Sequence, residues 1–481
     1  MKKYWFLIIL GYLLPLIFLT YFPFVDLPQH LHLAYVLKNF KNYKDYFELR
    51  LFPMHNTFHL FFNYLLSQLI SLDLSNRLYL FLIIILTFLT FYYFLKVING
   101  EKFFALGSLL IAYNYNLFWG FMGIAFALPL IIFLFALLLD LLKEKKKNER
   151  ICLFFITIVL AIIFLCHSLV FIYSIISYLV ILLFYQKPLR FRYLLPPLII
   201  LILFFIPWQI TQFRKEESEL IAQLKENISL KAIYQNFFNF WERIGIKSDN
   251  LIIFFYKVLT LLSILFLIFN PKIFRENKVL ATLLIITLIF YFFFPGSYTE
   301  AVFLNERFAP LIFFFLLAFL SLGIKGKFVE YLIIGMVVIN MIDLNIRFLM
   351  FEKYGKDFKK IITKLEPNKK VVGIFYERRP KPDLFGYEVF LHFPCYYQLE
   401  KGGLVGFSFA YIRYSPLIFK EDYPLERIDE WFPYRSLFPE RYKNYDYLFV
   451  TGEARLSDEQ YFRKMILIDS VGIWRVYSFQ K

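Results

Sequence analysis

The chain alternates apolar blocks with short basic connectors, and this alternation limits its possible folds more than any other feature. Stretches 78-95, 121-139, 151-165, 193-206, 251-269 and 279-294 are almost free of charge, and a helix needs about 20 such residues to cross a bilayer's hydrocarbon core. Hydrophobic residues make up 59% of the chain, against roughly 45–50% in a soluble domain, so a water-soluble fold has too little interior to hide them. The blocks read as membrane helices. The formal charge of +16 is concentrated in the connectors, where Lys and Arg mark the cytoplasmic side of a membrane; it reports orientation, with no nucleic-acid partner implied. Cys152, Cys166 and Cys395 offer neither a disulfide framework nor a paired-cysteine metal site.

Basic connectors at 143-150, 187-192 and 272-278, and Lys325 with Lys327, all belong on the cytoplasmic face. Lys2-Lys3 before an apolar run to Leu19 predicts an uncleaved first span with the N-terminus inside, since no small-residue cleavage site follows the run. Segments 151-166 and 168-185, 193-210 and 251-270, and 279-295 and 308-323 then pair as out-and-back crossings, and 328-349 crosses outward. Four apolar segments (54-72, 78-98, 103-117 and 119-142) separate the outside loop 23-53 from the inside connector at 143. An odd number of them must cross, so one, 54-72 or 103-117, is short, broken or re-entrant. The expectation is a polytopic α-helical membrane domain of about eleven spans over 1-350, in the inner (plasma) membrane. Residues 351-481, richer in charge, Pro and Gly, predict a small extracytoplasmic α/β domain with strands at 371-375, 447-450, 466-468 and 474-477 and a helix around 457-464. Within 211-250, Leu220, Ile221, Leu224, Ile228, Leu230 and Ile233 recur at helical spacing and predict a helix lying on the membrane surface.

The outside loops hold the residues suited to chemistry. The first reads Asp26-Leu27-Pro28-Gln29-His30, with proline where a helix begins, and predicts a helix running to Lys38. Asp26 and His30, four apart, share one side of its first turn, while His32 points elsewhere; the competing readings are an N-cap for Asp26 and a headgroup contact for His30. Arg307, after Glu306 at the start of a span, has the planar fork that binds phosphate, or anchors the helix at the bilayer edge. His167 sits at a tight outside turn, at a depth where polar groups tend to be functional. His55, His59 and Asn63 at four-residue spacing predict a polar stripe lining a cavity; two histidines without an accompanying Glu and a third ligand make a weak zinc motif. Residues 113-116 (Tyr-Asn-Tyr-Asn) and Trp119 can wall a sugar ring or belong to the interfacial aromatic belt. The stretch 392-403 reads as a loop over the cavity or a plain turn. No glycine-rich nucleotide-binding motif is present.

On these features the chain resembles the GT-C class of membrane glycosyltransferases, relatives of protein O-mannosyltransferases and lipid A aminoarabinose transferases. The shared architecture is one span, an outside loop with an acidic residue and a short surface helix, many further spans, and a soluble extracytoplasmic tail. It covers most of the chain, and the residue-level match is Asp26-Leu27-Pro28-Gln29-His30. The resemblance implies that Asp26 is catalytic, as base or as ligand of a divalent cation if one is used. It also implies a polyprenyl-phosphate-linked sugar as donor and a glycan, lipid or protein as acceptor. The loop lacks the adjacent paired carboxylates of some members, the next acids being Asp45 and Glu48. Such a transfer needs a proton acceptor, a stabilised phosphate leaving group and a groove at membrane level. Asp26 supplies the first, with His30 orienting it or touching phosphate; Arg307 and His167 supply the second; His55, His59, Asn63, Trp119 and Glu306 line the cavity. The rival readings are a transporter or flippase of lipid-linked sugars, which would place charges in mid-span and often repeat its halves, and a polysaccharide polymerase.

Overall fold

The computed structural model describes residues 3–50, 54–142, 148–185, 191–207, 230–298, 301–412, 415–428, 430–431, 442, 444–453, 462–463 and 465–479. Its main helices include α1 (Lys3–Leu13), α2 (Leu27–Lys38), α3 (Phe58–Leu66), α4 (Leu72–Ile98), α5 (Tyr115–Trp119), α6 (Met122–Leu142), α7 (Glu149–Cys166), α8 (Ser168–Tyr185), α9 (Leu230–Phe238), α10 (Asn250–Phe269), α11 (Lys278–Phe293), α12 (Ala309–Gly323), α13 (Lys327–Lys364) and α14 (Pro394–Lys401), and a shorter apolar helix begins at Leu195. Among the described residues six helices are long and apolar enough to cross a membrane: α4, α6, α7, α10, α13, and α12 counted with its leading turn from Glu306. Four shorter apolar helices accompany them.

Burial sorts these helices into layers. The apolar windows of α6 and α12 are 89% and 83% buried and form the centre of the bundle, whereas those of α7 and α10 are only 39% buried. The outer helices present Phe154, Phe155, Leu265 and Ile268 outward, an apolar belt far beyond what a water-facing surface carries and suited to lipid. Both irregular segments of the N-terminal half fall where the sequence placed the anomaly. Segment 54-72 yields only α3, nine residues or roughly 13 Å at 1.5 Å per residue, too short to cross. Segment 103-117 is broken into two short turns, Phe104–Gly107 and Ser108–Ile111, before α5. The side chain of Asn114 starts α5 by accepting from the N–H groups of Asn116 and Leu117, and Gly120, with φ +80°, ends it.

Helix α13 has 38 residues, about 57 Å, close to twice the hydrocarbon thickness. The sequence break expected near 351 is therefore no break in the helix. Phe348, Phe351, Phe358, Ile361 and Ile362 continue the apolar stripe while Lys353, Lys356, Lys359 and Lys360 take other positions, so the helix leaves the bundle and carries the tail on the same rod. The tail holds a five-stranded sheet built from β2 (Lys370–Phe375), β3 (Leu404–Val405), β5 (Tyr447–Thr451), β6 (Met465–Val471) and β7 (Trp474–Phe479), in the order β3-β2-β5-β7-β6. Strand β2 runs parallel to β3 and β5, and β7 is antiparallel to β5 and β6. All four expected strands are present. The expected helix at 457-464 falls almost wholly outside the described residues, as do Leu220, Ile221, Leu224 and Ile228; Leu230 and Ile233 belong to α9.

Helix α2 departs from expectation. It is no surface helix: nine of its 12 residues are buried, because the tail covers it. Leu33, Val36 and Leu37 share a core with Val372, Ile374, Leu448 and Val450 of the sheet, and the strand β1 (Phe47–Leu49) of the first loop pairs antiparallel with β4 (Leu417–Phe419) of the tail. A larger core runs without interruption from Trp5 in the bundle to Trp474 and Val476 in the sheet.

Candidate functional site

The first loop is fixed to the turn after α5 by two backbone bonds, Val25 N–H to the Phe118 carbonyl (3.0 Å) and Asp26 N–H to the Trp119 carbonyl (3.1 Å). That approach requires Gly120, since a Cβ there would stand 2.5 Å from the Asp26 nitrogen. Asp26 occupies the N-cap position of α2, yet its side chain makes no capping hydrogen bond. Its carboxylate turns instead to the tail, where Oδ1 lies 3.6 Å from Nε2 of His392.

His392 is fully buried and adopts a left-handed backbone, φ +66°, of the kind that clusters at functional sites. One carboxylate oxygen of Glu430 holds it there, accepting both the backbone N–H (3.0 Å) and ring Nδ1 (2.6 Å), and Phe407 stacks on its face at 5.1 Å. Burial alone would push this imidazole down, but Asp26 and Glu430 overcome it and carry its pKa up to about 9. His392 is thus an imidazolium at neutral pH. His30, one turn along α2 from Asp26, goes the other way: burial lowers its pKa, with Asp26 opposing, and its ring packs against His59 and Phe409 at 5.5 and 5.6 Å.

The cationic side of the site comes from the start of α12. Arg307 is 6% exposed; it bonds His167 Nε2 at 3.0 Å and the Val302 carbonyl at 2.7 Å, lies 4.0 Å over the Phe121 ring, and is within electrostatic reach of Asp26. His55 stands beside His167, ring centroids 6.1 Å apart. Glu306 is paired with Arg243 at 2.8 Å, accepts the Tyr115 hydroxyl and, like Asp26, lies within electrostatic reach of Arg307. Trp119 packs on Phe303 and Trp431.

Asp26, His30, His59, His55, His167, Arg307 and Trp119 therefore gather at one end of the bundle. Asn63 does not join them: its amide donates to the His59 carbonyl and its Oδ1 accepts from Ser75, so it ties α3 to α4 while His59 faces His30. Sequence reasoning missed Glu430, Trp431 and Lys247, whose ammonium sits 4.8–5.2 Å from the rings of Tyr115, Trp119 and Tyr387. The segment 392-403 was expected as a loop and instead folds as α14 from Pro394, a proline start that the sequence carried openly. Among the described residues no three His, Cys, Asp or Glu side chains are grouped to hold a metal ion. Searches against protein-family models, curated proteins and solved structures find no match.

Proposed function

We propose that the chain is a membrane glycosyltransferase that moves a sugar from a polyprenyl-phosphate donor to an extracytoplasmic acceptor hydroxyl, with Asp26 as base. One observation carries the reading: Arg307 Nε and Trp119 Nε1 are buried with no hydrogen-bond partner, close to a carboxylate that does no capping. Each buried unpaired donor costs about 1–3 kcal/mol, and donors of this kind suit a ligand rich in acceptor oxygens, which a phosphate ester is.

In the reaction the acceptor oxygen attacks the anomeric carbon while its proton passes to the Asp26 carboxylate. The bond from that carbon to the phosphate oxygen breaks, its electron pair leaving with polyprenyl phosphate. Arg307, oriented by His167, and the His392 imidazolium supply fixed positive charge for the leaving group. His30, one turn along α2, orients the Asp26 carboxylate or touches the donor phosphate. Taking α1, α4, residues 104-119, α6, α7, α8, residues 195-207, α10, α11, α12 and the first half of α13 as eleven crossings, with α3 outside, puts Asp26, Arg307 and the tail on the side opposite the basic connectors. The N-terminus is then cytoplasmic in the inner membrane and 351-481 extracytoplasmic.

Asp26→Asn tests the assignment. It keeps size and the backbone bond to Trp119 but removes the proton acceptor, so transfer from lipid-linked donor in membranes should drop by at least ~10²-fold while expression and membrane insertion persist. A fully active Asn variant refutes the base and moves the search to Asp45 and Glu48.

A further inference from the structure

At the far end of the bundle lies a cavity of about 890 Å³ whose lining includes Trp5, Tyr92, Lys96, Glu101, Lys102 and Glu330. Helix α4 sets its distance from the site. Arg77, near the helix start, donates to the Leu16 and Leu19 carbonyls at the outer end of the first span, and Lys96 lies nineteen residues on, roughly 28 Å at 1.5 Å per residue. That is close to one hydrocarbon thickness, so the cavity sits at the opposite membrane interface, at headgroup depth.

We infer that this cavity binds the headgroup of a zwitterionic phospholipid, phosphate and ammonium together. Its mouth and its wall have opposite character. Lys96 and Lys102 are exposed at the rim and offer charge-assisted bonds to phosphate oxygens. The indole N–H of Trp5, on a residue only 4% exposed, has no hydrogen-bond partner and suits a phosphate or ester oxygen; a tryptophan with an apolar body and one donor is the usual side chain at this depth. The wall favours a cation. Glu330, 9% exposed, accepts the Tyr4 hydroxyl at 2.6 Å, Glu101 also lines the cavity, the rings of Trp5 and Tyr92 meet edge to face at 6.1 Å, and the carbonyl end of α4 points here, closed by Asn99 at φ +62°. Carboxylates, ring faces and a helix C-terminus all attract an ammonium. An anionic headgroup without an amine would satisfy only the rim. This inference is independent of the transfer chemistry at Asp26.

The test uses the full chain purified in detergent and stripped of lipid, with phosphatidylethanolamine or phosphatidylglycerol of identical acyl chains, and retention counted by native mass spectrometry. Phosphatidylethanolamine should be retained at least tenfold better. Lys96→Ala with Lys102→Ala, both at exposed positions, should weaken its retention about tenfold or more, and Glu330→Gln, which keeps an oxygen to accept the Tyr4 hydroxyl, should lower phosphatidylethanolamine retention and leave phosphatidylglycerol unchanged. Melting temperatures in lipid-free detergent should match wild type, so that loss of binding is not loss of fold. Equal retention of the two lipids overturns the inference, as does unchanged retention in the lysine variant. Binding of water-soluble phosphoethanolamine with equal affinity would replace the lipid by a free phosphate ester.

Discussion

Replacing Glu430 by glutamine isolates the charge chemistry of His392. The imidazole is 0% exposed, so its ion pairs are little screened by water. Its pKa of about 9 stands about 2.5 units above the ordinary 6.5, and at 1.36 kcal/mol per unit the imidazolium ties up to about 3 kcal/mol to the folded state. The sign follows from which state holds the proton. The folded chain keeps it up to about pH 9, the unfolded chain only below about 6.5, so the contribution is complete below pH 6.5 and is lost as pH climbs to about 9. Glu430→Gln removes the carboxylate at 2.6 Å and leaves burial opposed by Asp26 alone at 3.6 Å; the imidazole's pKa then falls and the slope across the window flattens. The assay is thermal melting of the purified chain in detergent at half-unit pH steps. The readout is the difference between wild type and variant, which cancels every other titrating group. The variant should be less stable at pH 6.5–7, and the two curves should converge by about pH 9. Parallel curves across that window would refute the ion-pair account of His392.

Three further outcomes follow from the same geometry. Arg307→Lys keeps the charge but cannot span His167 and the Val302 carbonyl together; with bonds to a charged group worth about 1.5–3 kcal/mol, use of polyprenyl-phosphate sugar should weaken roughly tenfold to above a hundredfold, measured as donor kinetics in membranes. Gly120→Ala places a methyl against the Asp26 nitrogen at φ +80°, so it should cost more than about 1 kcal/mol and lower both melting temperature and transfer, where an alanine at an ordinary turn would do neither. A reporter fused after Lys481 should report an extracytoplasmic location and one inserted in 143-147 a cytoplasmic location; a cytoplasmic reading at the C-terminus would break the eleven-crossing count.

What the sequence made legible was whatever depends on local pattern. Charge-free blocks gave the helices, alternation gave the strands, and Pro28 gave the start of α2. Asp26 and His30 were visible as a pair because i and i+4 fall on one helix face whatever the fold. The partners of Asp26 were not visible. His392 and Glu430 meet it only because the tail folds back over the first loop, and no spacing rule reaches across that distance in sequence. The same limit explains α2: the resemblance implied a surface helix, and only the folded tail shows a second layer covering it. Asn63 was misplaced for a related reason, since periodicity assigns a residue to a face and only packing decides which neighbour that face meets.

The interlock of loop and tail explains why so polar a cluster can be held with one geometry. Asp26 is fixed from the membrane side by the Trp119 carbonyl and the bare Cα of Gly120. It is met from the tail side by His392, whose own left-handed backbone is pinned by Glu430. Neither side can shift alone, because β1 pairs with β4 and α13 runs unbroken from the bundle into the core beneath the sheet, where Phe358 packs on Trp474 at 4.6 Å. Preorganisation of that kind matters for charge placed at a reacting centre, since fixed dipoles and ions act there without reorganising during the step. In the proposed transfer, a base on a mobile loop with its counter-charge on a separately hinged domain would have to bring the two together in every cycle. Here one rod, one strand pair and one glycine contact hold both halves in register before any ligand arrives.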